Sequence, residues 1–167
     1  TIARARADSL SAYAEEELTI GSSEWALPGT LAMPAGAGPF PAVILVHGSG
    51  PNDRDETIGA NKPFKDLALG LASRGVAVLR YDKRTKTHGA RAAAIPGLTV
   101  KEEVVDDVLE AAKVLRGRGF TPVSKPRSFY VNDLKGPLEE HELERAEAWG
   151  AALAATPALS GGSASTP

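Results

Sequence analysis

The sequence predicts an α/β fold on a mainly parallel sheet, and three features of the chain carry that expectation. Pro41-Ala-Val-Ile-Leu-Val-His47 and Val76-Ala-Val-Leu-Arg-Tyr81 are short, near-continuous apolar runs, the pattern of strands buried on both faces. Between them, Phe64 to Arg74 repeats apolar residues with the period of a helix. After the second run, residues 99–116 repeat that helical period. A strand, a helix and a strand of these lengths make a right-handed crossover between parallel neighbours.

Along the chain, residues 3–14 are weakly helical and read as a leader helix. Residues 17–20 and 25–33 read as two antiparallel strands joined by the turn Gly21-Ser22-Ser23. Ala35-Gly-Ala-Gly-Pro39 is a surface loop, residues 42–47 a third strand, and Pro51 to Glu56 a polar loop. Asn61 is placed to cap the next helix, 63–74, with Pro63 tolerated in its first turn. In that helix Phe64, Leu67, Ala68 and Leu71 share a stripe, and Gly75 sits where a C′ residue ends a helix. Residues 76–81 are the fourth strand, followed by a polar loop that contains His88.

Thr99-Val-Lys-Glu102 is a capping-box pattern that opens the helix 99–116. Val104, Val108, Ala111, Ala112 and Leu115 form its apolar stripe, Gly117 its stop, and Asp106, Asp107 and Glu110 a solvated face. Arg127 to Val131 reads as a fifth strand and residues 137–155 as a last helix. The expected domain is therefore 1–155, followed by a disordered tail at 156–167 with the composition of a linker. The expected strand order is 1-2-4-3-5.

The third strand runs into His47-Gly48-Ser49-Gly50, where glycines let backbone N–H groups approach a reacting atom without a Cβ in the way. A Gly-rich turn leaving a buried strand would look the same. The wider arrangement separates the two readings: "VHGSGPNDRDE", "KPFKDLALGLASRGVAVLRYDKR" and a later amphipathic helix occur in this order. Over roughly residues 17–117 the chain resembles the α/β-hydrolase superfamily, in particular its dienelactone-hydrolase-like and acyl-esterase branches. The resemblance implies a three-layer fold, of which the chain holds the N-terminal half, so that it is truncated. It also implies that the HGSG loop, through Gly48, Ser49 and Gly50, is an oxyanion hole like the HGxG-type loop of lipases and esterases. His47 and Asp82, at the ends of the third and fourth strands, then support the motif rather than move protons.

The family places its nucleophile on a sharp strand-to-helix turn written G-x-S-x-G. No such pattern occurs in these 167 residues. At the expected place stands Asn132-Asp133-Leu134-Lys135-Gly136, and the resemblance puts Leu134 where the serine belongs. Ala158-Leu-Ser160-Gly-Gly162 has a related form, but no apolar strand precedes it. Asp133 is the candidate nucleophile, since dehalogenase-like members place an aspartate on this turn. A helix N-cap is its competing role and suits the bulky neighbours Asn132 and Lys135 better. Ser49 as nucleophile would use up the loop meant for the oxyanion. Ser128, Asp133 and His141 occur in triad order, but strand alternation and close spacing keep them from converging. His141 stands among glutamates inside the last helix and reads as solvated.

Composition narrows the function classes. The chain is 43% hydrophobic with Lys+Arg 19 against Asp+Glu 21, which gives no electrostatic reason to expect nucleic acid or an anionic membrane as partner. Cys 0 excludes disulfides, thiol nucleophiles and thiolate metal sites and leaves the compartment open, cytoplasmic or secreted. No apolar run has the length of a membrane span, and the histidines lack metal-ligand spacing. No metal and no cofactor is expected. The first residue, Thr1, suggests that a preceding segment was removed. The leading reading is a hydrolase of carboxylic esters or thioesters acting on a small-molecule ester. The alternative is a non-catalytic remnant or pseudoenzyme serving as a binding module. With no sixth strand beside the fifth, a bare sheet edge is expected to pair with a second copy as a homo-oligomer.

Overall fold

A computed structural model of the chain describes residues 13–121 and 139–154. Its contacts divide the chain into two units that meet between Phe120 and Thr121. The first unit holds a sheet of β1 (Tyr13–Ile20), β2 (Leu27–Pro34), β3 (Ala42–Ile44) and β4 (Ala77–Tyr81), in the order β1-β2-β4-β3. Its helices are α1 (Pro63–Ala72), the short α2 (Arg84–Thr87) and α3 (Gly89–Ala93), and α4 (Asp106–Gly117). A π-helical turn, Lys101–Val105, leads into α4. In the second unit α5 spans Glu142–Ala154.

The described part of the expected strand order is present, with β3 parallel to β4 through Ala42↔Ala77, Val43↔Val78 and Ile44↔Leu79. The fifth strand, expected at 127–131, lies outside the described residues. The sheet is mixed rather than mainly parallel, because β1–β2 and β2–β4 both pair antiparallel. The leader helix expected over 3–14 is contradicted at Tyr13 and Ala14, which open β1. Glu15, Glu16 and Glu17 are poor strand formers, but alternation gives each a cation, and pairing with β2 supplies the ladder. Glu15 reaches Arg80 at 2.7 Å and Glu17 reaches Arg54, while Glu16, on the other face, reaches Arg118 at 2.5 Å.

Alternation along β4 sorts the core into two layers. Leu79 and Tyr81 join Ile20, Leu27 and Leu31 under Ala111 and Leu115 of α4. Val78 joins Ala32 under Ala68 and Ala72 of α1. Leu67, expected on the buried stripe of α1, is exposed, because the small residues Ala68 and Ala72 let the helix lie close on the strands there.

Asn61 does not hold the N-cap: Lys62 does, without a capping bond from its side chain, and Asn61 instead pairs with Ile58 in an isolated bridge. The other end is as expected. Gly75, at φ +87°, donates to Ala72 O at 3.1 Å and Val76 donates to Leu71 O at 3.1 Å, the paired bonds of a Schellman motif. The capping box at Thr99 also forms, with Glu102 Oε2 accepting the Thr99 N–H at 3.0 Å. Gly117 does not terminate α4 in the left-handed region. Gly119 does, at φ +88°, and Phe120 donates back to Leu115 O at 3.1 Å.

The largest departure on this side is Asp107. It is buried rather than solvated, and it accepts Arg84 Nη2 at 2.5 Å. Asp107 precedes Ala111 and Leu115 at i, i+4 spacing within α4, so it shares their buried face.

Candidate functional site

β3 is shorter than the apolar run that encodes it, and the reason lies at its end. Leu45 continues the ladder by donating to Leu79 O at 2.9 Å, and the next parallel bond would run from the His47 N–H to Tyr81 O. The His47 imidazole takes that acceptor instead, through Nε2, so the backbone is free to turn away. The ring is buried, stacked on Phe64 at a centroid distance of 5.5 Å, and its Nδ1 faces Glu56 Oε2 at 2.7 Å. Both ring nitrogens are thus held by oxygens, and neither is available as a base toward a bound molecule.

Gly48, Ser49 and Gly50 follow on the surface. Lys83 Nζ donates to Gly48 O at 2.8 Å, and Asn52 Nδ2 donates to Ser49 O at 3.1 Å. Gly50 sits at φ +97°, where a side chain would be strained. Asn52 Nδ2 also donates to Glu56 Oε1 at 2.7 Å, so Glu56 joins the His47 end of the loop to its Asn52 end. Among the described residues, no acceptor is bonded to the N–H groups of Gly48, Ser49 or Gly50.

Asp82, expected to support the motif, bonds Arg54. Its Oδ1 accepts the Arg54 backbone N–H at 2.8 Å and Nε at 3.0 Å, which ties the 51–56 loop to the end of β4. The Arg54 guanidinium also donates to Thr30 Oγ1 at 2.8 Å, on β2. Beside it opens a cavity of about 430 Å³ whose lining includes Arg54, Arg80, Lys65 and Asp55. Its wall is charged and ion-paired, unlike the apolar walls that sites for organic ligands usually present.

Asp133, with Ser128 and Leu134, lies outside the described residues. His141 is described in the second unit, before α5 rather than inside it. It stands at φ +67° with an exposed side chain, and its carbonyl accepts the Arg145 N–H at 3.0 Å. His88 packs edge-on to Trp25 and bonds Ala26 O at 2.9 Å, a structural role. Among the described residues no cluster of His, Asp and Glu is arranged to hold a metal ion, and no described helix is long and apolar enough to cross a membrane.

The residue that sequence reasoning missed is Lys83. It is buried, which is rare for lysine, and it bridges Gly48 O and Glu103 Oε1, the latter at 2.9 Å. Only its place directly after a buried strand, in Asp82-Lys83-Arg84, could have singled it out.

The chain is similar to Esterase EstD of Thermotoga maritima, with 46% identity over 147 residues, which are 87% of this chain and 33% of that protein. It therefore spans about a third of that relative's length. No protein-family model matches the chain. No solved structure matches it either. An identity of 46% across 87% of the chain supports an esterase-type relationship.

Proposed function

We propose that this chain carries the oxyanion-binding part of a hydrolase of carboxylic esters or thioesters, of the α/β-hydrolase type. The observation that carries the proposal is the 46% identity to an esterase. The loop after β3 agrees with it in kind: surface glycines, with a carbonyl held at each of two successive peptides. In this reading a nucleophile attacks the acyl carbon of a small-molecule ester, and the oxygen that becomes negative is held by N–H groups of Gly48, Ser49 and Gly50. His47 and Asp82 fix the loop and move no protons. Asp133 is the candidate nucleophile of this reading and would form an acyl-enzyme link.

The test is hydrolysis of a nitrophenyl acyl ester by the chain and by two variants at one position. Gly48→Pro removes one N–H, and loss of an oxyanion donor lowers turnover by about 10²–10³. Gly48→Ala keeps the N–H, and its Cβ would meet nothing within 4 Å, so it retains activity. Asp133→Asn abolishes turnover if the aspartate is the nucleophile. A serine-directed fluorophosphonate leaves the protein unlabelled. Absence of hydrolysis by the parent chain, or a Gly48→Pro variant as fast as the parent, would sink the reading and favour a binding module.

A further inference from the structure

We propose that Lys83, held by Glu103, is the positioning residue of the 47–50 loop: its ammonium turns the Gly48 carbonyl inward and so turns the Ser49 N–H outward. The inference deepens the hydrolase reading of the loop and rests on it for its catalytic meaning.

The physical basis is the planarity of the peptide unit. In a trans peptide the carbonyl of one residue and the N–H of the next point in opposite directions. Lys83 is 3% exposed, and its Nζ holds Gly48 O at 2.8 Å, so that carbonyl faces the protein interior. The Ser49 N–H of the same peptide must then face the other way, on a surface-exposed residue. A cation on the carbonyl oxygen also polarises the unit and makes its N–H a stronger donor.

A buried ammonium is tolerated only when it is paired and hydrogen-bonded. Glu103 supplies the pairing at 2.9 Å, and Thr85 Oγ1 donates to the same carboxylate oxygen at 3.0 Å. The hydrogen bond from Lys83 holds the Glu103 carboxyl below the usual carboxylate range despite partial burial. Glu103 belongs to the π-helical turn Lys101–Val105, which leads into α4. The Lys83 backbone N–H donates to Asn52 O at 3.1 Å, so one residue grips the loop at Gly48 and again at Asn52. With its ammonium committed to these acceptors, Lys83 acts through the peptide rather than on a substrate.

The experiment uses Lys83→Met, which keeps length and apolar bulk without the charge, alongside Glu103→Gln, Lys83→Arg and the exposed control Lys113→Met. The first readout is the Ser49 amide in a ¹⁵N–¹H spectrum with its hydrogen-exchange rate, which requires no catalytic activity. In Lys83→Met the Ser49 amide proton moves upfield and the loop amides exchange faster, while the core resonances stay in place. Glu103→Gln shifts the same amide in the same direction by less, and Lys83→Arg restores part of the shift. The second readout is nitrophenyl ester hydrolysis. There Lys83→Met lowers kcat by up to about 10²-fold, the usual cost of a misplaced catalytic group, with KM little changed. A folded Lys83→Met variant with an unmoved Ser49 amide overturns the proposal. If Lys83→Met does not fold, an unmoved Ser49 amide in Glu103→Gln overturns it instead. A moved Ser49 amide in Lys83→Met, together with a parent chain that hydrolyses no ester, sinks the hydrolase reading alone and leaves the positioning role standing.

Discussion

Leu79 and Arg80 are neighbours in β4, and each is almost completely buried, at 0% and 3% exposure. Leu79 faces α4 and packs among Ile20, Leu27 and Leu31, where removal of apolar surface from water is the stabilising force. Arg80 faces the α1 side beyond the reach of the small helix residues, where the layer is held by charge instead. Its Nε reaches Asp55 at 3.1 Å and its Nη2 reaches Glu15 at 2.7 Å, while Nη1 has no partner among the described residues. The α4 face is thus an apolar core, and the α1 face passes from the small apolar layer of Val78, Ala32, Ala68 and Ala72 to a polar network that anchors the 51–56 loop to the sheet. A loop can be fixed in one conformation by such a network because its bonds are directional, whereas apolar packing is not.

The largest expected effect breaks the apolar face. Leu79→Ala leaves a cavity under α4 and lowers stability by about 2–5 kcal/mol, measured by chemical denaturation. Arg80→Met tests the other face and costs less than the ~3–5 kcal/mol of a pair whose surviving charge stays buried. Its partners Glu15 and Asp55 keep 31% and 14% side-chain exposure and can rehydrate, and the unpartnered Nη1 is lost as well. A loss larger than that of Leu79→Ala would reverse the ranking of the two faces.

One carboxyl on each side, Asp55 and Asp107, should titrate in opposite directions. Burial raises the Asp55 carboxyl, but hydrogen bonds from Lys62 and Arg80 outweigh it and leave it below the usual carboxylate range. Burial pushes the Asp107 carboxyl up, and the Arg84 guanidinium only partly offsets that. For Asp55 the folded pKa lies below the unfolded value of about 3.9, so its stabilisation is present above that pH and is lost as pH falls through the folded pKa. For Asp107 the sign reverses: its contribution is present below about pH 3.9 and is lost as pH rises through the folded pKa. Carboxyl ¹³C titration should give the two groups midpoints on opposite sides of the unfolded value. Asp55→Asn removes the acid-side loss of stability, and Asp107→Asn removes the loss on the rising side. Midpoints on the same side would erase the contrast.

The smallest effect belongs to neither face. Lys113 pairs with Glu110 one turn away on the exposed side of α4, and Lys113→Ala changes stability by no more than about 1 kcal/mol in thermal melts.

Legibility in the sequence tracks the range of the forces involved. Strands β3 and β4 were readable from their short apolar runs, but only β4 is buried throughout, and it carries Arg80; β3, expected to be buried on both faces, leaves Val43 38% exposed. The ends of α1 and α4 were readable where the signal is local, as at Gly75 and Thr99, and misread where partners decide, as at Asn61. The HGSG loop announced itself through its glycines, but its fixings did not, since Lys83 lies 35 residues from Gly48. Asp107 was misread because its charge suggested a solvated face, although i, i+4 spacing puts it on the stripe of Ala111 and Leu115, where Arg84 meets it.

The sequence by itself determined the order of β1 to β4, the crossover through α1, the helix α4 and the place of the loop, all of which rest on local backbone preference and apolar periodicity, whereas the helical turns α2 and α3 were expected as a polar loop. Only the tertiary structure decided which charges are buried. A lysine after a strand and an aspartate on a helix look solvated until another segment brings a carboxylate, a carbonyl or a guanidinium within hydrogen-bond reach. That meeting sets the burial of Lys83 and Asp107 and the orientation of the Gly48 peptide, because the cost of desolvating a charge depends on the partners it meets in space.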